Sequence, residues 1–210
     1  MTKIEDGRML RGERTRTAVL DTAVALATEA GLSGLSLSQL AERLGVSKSG
    51  LFAHWKSKEE LQLATIDQAR KLWADRVVAP ALRQPRGVRR LFALHEARLA
   101  FYTERVLPGG CFFAVAEFEY AGRTGAVARR LSEVLGEWLI LLERLITEAV
   151  ELGELPAGTE VGQLAFEIDA AGVAAMLHTR LLDASVHAAR TAVLRRLRAA
   201  TTDPNLLPEE

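Results

Sequence analysis

Apolar residues recur at helical spacing along nearly the whole chain. From about Thr15, the residues Val19, Leu20, Ala23, Val24, Leu26, Ala27 and Ala30 share one face, and Gly31 offers a stop. Ser36 with Gln39 three residues on reads as a capping box, opening a short helix whose Leu40, Ala41 and Leu44 point inward and which ends at Gly45. Ser47 is a second N-cap, and Ser57 with Glu60 a further box. The helix from Lys58 is predicted to reach about Val78, before Pro80. Further helices are predicted over 85–106, 111–121, 124–152, 159–182 and 184–201. The cleanest is 124–152, where Val127, Leu131, Val134, Leu135, Trp138, Leu142, Leu145 and Ala149 form one stripe. No alternating strand pattern and no repeat interrupts this series, so the expected fold class is all-α. The first ten residues read as a mobile arm and the tail from Thr202 as frayed.

Composition narrows the classes. Hydrophobic residues make up 49% and charged residues 26% of the 210, which excludes disorder for most of the chain. Aromatics at 6% disfavour a β-sandwich. With one cysteine, Cys111, an intrachain disulfide and a multi-cysteine metal site are excluded, and the residue reads as a small core side chain. Met1–Asp6 lacks the apolar core of a signal peptide, and no run of 18 uncharged apolar residues offers a membrane span, so a cytoplasmic location and no membrane partner are expected. No phosphate loop, His-Glu-x-x-His or Gly-x-Ser-x-Gly motif occurs; neither enzyme activity, metal nor cofactor is expected. The zero net charge hides an asymmetry: from Arg8 to Lys58 there are 8 basic and 4 acidic residues, +4 in all. A basic first segment suits a polyanion.

The informative segment is Leu40–Trp55. Two short helices flank Gly45-Val46-Ser47, with the small Ala41 four residues before the glycine and Leu51 six after it. This is helix-turn-helix spacing: a close helix crossing, a turn tolerant of positive φ and an aliphatic anchor in the second helix. In that geometry the start of the second helix enters the DNA major groove, so Ser47, Lys48, Ser49 and Gly50 lead. Lys48 can reach a guanine edge or a phosphate, and backbone N–H groups at Ser36 and Ser47 can hold phosphates.

The stretch Thr17–Leu61 resembles the DNA-binding domain of the tetracycline-repressor (TetR) family. The matching pieces are Val19-Leu-Asp-Thr-Ala, Gly31-Leu-Ser-Gly-Leu-Ser, Leu40-Ala-Glu-Arg-Leu-Gly-Val-Ser-Lys-Ser-Gly-Leu-Phe-Ala-His-Trp and Lys56-Ser-Lys-Glu-Glu-Leu. Pro108-Gly-Gly-Cys-Phe-Phe through Gly153-Glu-Leu, and Gln163-Leu-Ala-Phe-Glu, look like a TetR-type ligand-binding domain. The resemblance implies an N-terminal three-helix helix-turn-helix domain, 11–57, followed by a helical ligand-binding and dimerisation domain, 58–202. It implies DNA contacts from Ser36, Ser38, Ser47, Lys48, Ser49, Gly50, Phe52, His54 and Lys58. The alternative for His54 is a solvated helix residue, and the resemblance favours the phosphate contact. Two departures stand out. Most relatives carry tyrosine where this chain has Phe52, which removes a phosphate-binding hydroxyl worth about 0.5–1.5 kcal/mol. Relatives usually carry phenylalanine at the positions of Ala27 and Trp55, so Trp55 is expected to fill volume that Ala27 leaves.

In the body, Phe92, His95, Leu99, Tyr102, Phe112, Phe113, Trp138 and Leu142 are the candidate lining of a small-molecule site, a mixture suited to an apolar or aromatic effector with one or two polar handles. The helix 159–182 is apolar on more than one side. Its small-residue face, with Ile168, Gly172, Ala175 and Thr179, is expected to meet a second copy of the chain, as in TetR homodimers. The implied activity is a repressor released from a palindromic double-stranded operator by its effector. The alternative is a helical small-molecule-binding protein, or a non-specific DNA binder without effector control.

Overall fold

The computed structural model describes residues 3–52 and 54–209, with side chains from Arg16 onward except at 50 and 52. The helices are α1 (Lys3–Ala30), α2 (Leu37–Leu44), α3 (Lys48–Phe52), α4 (Lys58–Trp73), α5 (Ala79–Leu82), α6 (Val88–Thr103), α7 (Phe112–Tyr120), α8 (Ala126–Glu151), α9 (Val161–Leu182) and α10 (His187–Ala200). A π-helical turn, Ala74–Val78, joins α4 to α5, and a 3-10 turn, Pro204–Leu206, follows α10. There is no strand among the described residues. The fold is all-α, as the periodicity predicts. The chain forms two compact units, residues 1–71 with 107–132, and residues 72–106 with 133–210.

The first unit buries Val19, Leu20, Ala23, Val24 and Ala27 of α1 together with Leu40, Ala41, Leu51, Trp55, Leu61 and Ile66. Its polar anchor is Glu119 on α7. That carboxylate accepts the backbone N–H groups of Leu32 (2.7 Å) and Ser33 (3.0 Å) and the Ser33 hydroxyl. The same turn is held through its carbonyls: Gln62 Nε2 donates to Leu32 O at 2.8 Å, and Lys58 Nζ donates to Ser33 O. Gly31 leads into the turn at φ +79°. The Gly109 N–H donates to Thr28 Oγ1 at 2.9 Å, where a Cβ on Gly109 would collide with the Thr28 backbone. Arg130 at the start of α8 pairs with Asp67 of α4 at 2.8 Å.

The second unit has an apolar core of Val88, Leu91, Phe92, Leu94, Leu99 and Phe101 of α6 with Leu142, Leu145, Ile146, Leu164, Ile168 and Leu194. Trp73 stands edge-on to both Phe101 (5.3 Å) and Trp138 (5.5 Å). Within this core lies a buried cation. Arg98 donates from Nε to Tyr102 Oη (2.7 Å) and from Nη1 to Asp169 Oδ1 (2.8 Å), and its guanidinium lies 5.4 Å from the Trp138 ring centroid. Trp138 Nε1 donates to the same Asp169 oxygen at 2.9 Å. The guanidinium packs against the bare Cα of Gly172, where any Cβ would overlap Cζ and Nη1. His95, one turn before Arg98, is also buried, with Nε2 3.2 Å from Ala189 O of α10. Burial chiefly, then Arg98 and less so Arg190, holds its imidazole down to about 4, against a weaker upward pull from the Ala189 carbonyl.

Three elements differ from expectation. α1 begins at Lys3 instead of near Thr15, since the intervening Lys, Glu, Arg, Met and Leu are strong helix formers that carry the helix across Gly7 and Gly12. Pro80 does not stop the helical path. The turn before it widens to π geometry, and Pro80 sits in the first turn of α5, where a missing N–H costs nothing. The tail is docked, not frayed: Thr201 Oγ1 and Thr202 N–H donate to Glu154 O at 2.8 and 3.0 Å, Arg198 Nη1 donates to Leu207 O and Pro208 O at 3.2 and 2.8 Å, and Leu207 is buried.

Two stability measurements check the second unit. Gly172→Ala forces the pinned guanidinium aside and is expected to cost about 1–3 kcal/mol in denaturant unfolding; an unchanged midpoint would show that Arg98 shifts freely. Between pH 6.5 and about 4 the unfolded chain protonates His95 and the folded chain does not. Stability therefore rises with pH in this window and is lost on acidification, by about 3 kcal/mol in all. His95→Phe should flatten that part of the stability–pH curve.

Candidate functional site

The head is organised by its caps. Ser36 Oγ accepts the Gln39 N–H at 3.2 Å and donates to Gln39 Oε1 at 2.8 Å, so the capping box closes through the hydroxyl instead of the backbone N–H. α2 ends at Gly45, φ +64°, whose N–H reaches Glu42 O (3.2 Å), while the Val46 N–H reaches Ala41 O (3.0 Å). This six-to-one closure is the Schellman arrangement, and its left-handed residue turns the chain sharply enough for α3 to start at Lys48. Leu51 and Trp55 anchor the second helix in the core. At the other end of α3 the next box forms: Glu60 N–H donates to Ser57 Oγ at 3.0 Å, and the Glu60 carboxylate accepts the Lys56 N–H at 2.5 Å.

This construction leaves Ser38, Ser47, Lys48, Ser49, His54 and Lys58 exposed and Ser36 half-buried. Ser49 Oγ lies 3.3 Å from Ser47 Oγ. The Lys58 ammonium is engaged by Ser33 O. Gly50 belongs to α3, but its surroundings and the Phe52 side chain lie outside the described residues. Trp55 and Ala27 are both buried, each 1% exposed. Arg16 lies over the Trp55 ring, 5.1 Å from its centroid, a contact the periodicity of α1 did not disclose.

The candidate effector residues fall in both units. Phe112 and Phe113 belong to the first, buried with their rings edge-on at 5.3 Å. Phe92, His95, Leu99, Tyr102 and Leu142 are buried in the second, and Trp138 is half-buried there. Sequence reasoning missed Arg98 and Asp169, which tie Tyr102 and Trp138 into one polar network; an arginine at helical spacing from Leu91, Leu94 and Phe101 was the available signal. It also missed the role of Glu119. Cys111 is buried, and His178 and His187 are exposed. Among the described residues no three His, Cys, Asp or Glu side chains form a metal-holding group, and no helix is long and apolar enough to cross a membrane.

The expected dimer face needs correction. Ile168, Gly172 and Ala175 are buried inside their own unit, and Thr179 is half-buried with its hydroxyl inside. Gly172 of α9 makes room for Arg98. The outward face carries Phe166 (66% exposed), Ala170, Val173, Leu177 and Leu181 (77% exposed), which fall on one stripe at helical spacing.

Comparison with known proteins bears on both parts. Residues 19–65 match the family described as bacterial regulatory proteins, tetR family. Residues 87–194, just over half of the chain, match the family described as tetracyclin repressor-like, C-terminal domain. The HTH-type transcriptional repressor ComR of Escherichia coli K12 is 26% identical over 151 residues, 71% of this chain and 72% of ComR. A TetR transcriptional regulator from Chloroflexus aurantiacus superposes with a TM-score of 0.84 at 24% identity, covering 91% of this chain and 98% of the other. AibR, solved in complex with isovaleryl coenzyme A and operator DNA, superposes with a TM-score of 0.65 at 20% identity, covering 87% of this chain and 96% of its own. A capped helix-turn-helix within one match and an all-helical body within the other place this chain in the TetR family of transcriptional regulators.

Proposed function

We propose that this chain is a cytoplasmic, homodimeric repressor that a small apolar or aromatic effector releases from a palindromic operator. The observation that carries the reading is the start of α3. Ser47, Lys48 and Ser49 are exposed there, behind a glycine-closed turn and ahead of the buried anchors Leu51 and Trp55. A helix anchored in this way presents its first residues to base edges in the major groove. Residues 11–57 are the DNA-binding head on this reading and 58–202 the effector and dimer domain. Ser36, Ser38 and His54 supply backbone-positioning contacts, Lys48 the base or phosphate contact, and Gly50 a close approach. Lys58 contributes by holding the α1–α2 turn as much as by its charge. The +4 charge of the first segment, set against −4 elsewhere, favours encounter with DNA through the head.

The second copy covers the large-residue stripe of α9. Exposed Phe166 and Leu181, with half-buried Val173 and Leu177 between them, would be an apolar patch on a monomer, and pairing two heads doubles the half-sites read. Repression is supported by the similarity to ComR, a repressor. Effector control is supported by AibR, whose structure holds both isovaleryl coenzyme A and operator DNA. The effector acts by binding better to the arrangement of heads that fits the operator worse.

Selection from random duplexes with purified protein is expected to enrich a palindrome; no enrichment from folded dimer would overturn the operator reading. Lys48→Ala with His54→Ala should weaken binding to that site about hundredfold with the helical signal intact. The loss should be larger on the selected site than on random DNA, where binding is counterion release alone. Phe166→Asp with Leu181→Asp should give monomers in sedimentation; dimers that persist would move the interface elsewhere.

A further inference from the structure

We infer that His95 is the polar handle of the effector site, an acceptor that selects effectors bearing a hydroxyl or N–H on an aromatic frame over their ethers and carboxylates. The inference rests on the effector reading above. His95 is 2% exposed. A carbonyl only accepts, so the Nε2 that lies 3.2 Å from Ala189 O carries the proton. In the neutral ring Nδ1 is then a lone pair. That atom is buried and has no hydrogen-bond partner in the chain. Buried acceptors are seldom left so, and the donor has to come from outside the chain.

The surroundings select the kind of donor. The cations nearest the ring are engaged: Arg98 by Asp169 and Tyr102, and Arg190 by Glu96 at 2.8 Å. A carboxylate ligand would therefore set its own lone pairs against that of Nδ1 with the nearby guanidinium groups already paired. A cationic donor would have to be desolvated in this apolar surround while the neighbouring carboxylates Asp169 and Glu96 are already paired. A neutral O–H or N–H meets neither objection. The frame follows from the face of α6 that carries His95: Phe92 one turn before, Leu99 one turn after and Tyr102 beyond, all buried, with Arg190 lying 5.3 Å from the Phe92 ring centroid. The composition of this face, two aromatic rings and a leucine around one unpaired acceptor, matches an aromatic frame with a single donor.

The test uses the full-length protein and two probe sets, 1-naphthol with 1-methoxynaphthalene and 1-naphthoate, and 4-phenylphenol with its methyl ether and carboxylate. Calorimetry should show each hydroxyl binding about tenfold tighter than its ether, with the carboxylate weakest. In His95→Phe that ratio should fall to about twofold or less. In the wild-type protein the nitrogen-15 resonance of His95 Nδ1 should move on adding the hydroxyl compound and stay on adding the ether, a readout that stands even where the variant fails to fold. Equal binding of hydroxyl and ether, a preference that survives His95→Phe, or an unmoved Nδ1 resonance (the signature of a resident water) overturns the inference alone. No binding by any of the six overturns the effector reading and the inference with it.

Discussion

A guanidinium inside an apolar core has to be met on every side, and the second unit is arranged around that requirement. Arg98 projects from α6 and finds Asp169 of α9 for its charge, Tyr102 one turn along its own helix for Nε, the Trp138 ring of α8 for its face and the bare Cα of Gly172 for room. Each partner serves a second purpose. Asp169 also takes the Trp138 N–H, so three helices are fixed in register by one carboxylate. Such a pair is weak evidence for net stability, since desolvation offsets much of the attraction, but loss of either member strands the other. The requirement extends to His95, where burial and the neighbouring Arg98 keep the ring neutral and leave Nδ1 as a lone pair.

The first unit solves a similar problem at a turn. The loop between α1 and α2 has backbone N–H groups that no helix satisfies, and the Glu119 carboxylate collects two of them from 86 and 87 residues away. Gln62 and Lys58 hold the carbonyls of the same loop. The start of α2 is thus tied to α7 and α4 by charge-assisted bonds, and α2 in turn sets α3 through the Gly45 closure. A displacement of α7 within this unit has to carry the turn with it or break the bonds to Glu119. The reading helix inherits its position from a carboxylate that touches no part of it.

What the sequence disclosed and what it hid divide by range. Ser36, Gly45 and Ser57 act within six residues, and each boundary they mark in the head is present. The helix-turn-helix was readable for that reason: its geometry is local chemistry. Glu119 with Ser33, and Arg98 with Asp169 71 residues later, are created by tertiary packing, and no spacing rule announces them. The docked tail belongs with these, because Thr201 and Thr202 find the carbonyls of Gly153 and Glu154 only once α10 has packed. Pro80 misled in the opposite sense. Its rule is local and sound, but a π turn just before it resets the helix so that the proline falls where the rule permits it.

The α9 face shows why apolar periodicity alone is ambiguous. Small residues on a helix admit either a neighbouring backbone or a neighbour's long side chain, and the pattern Ile168, Gly172, Ala175 is the same for both. What decides is the side chain opposite, and the buried Arg98 needs the space that a Cβ at 172 would take. Once the small face is committed inward, helical geometry sends Phe166, Val173, Leu177 and Leu181 outward. A monomer would leave Phe166 and Leu181 two-thirds or more exposed on one stripe, each forgoing about 1.5–3 kcal/mol of burial. The buried arginine and the apolar exterior of α9 are therefore two consequences of a single choice of which way the helix turns.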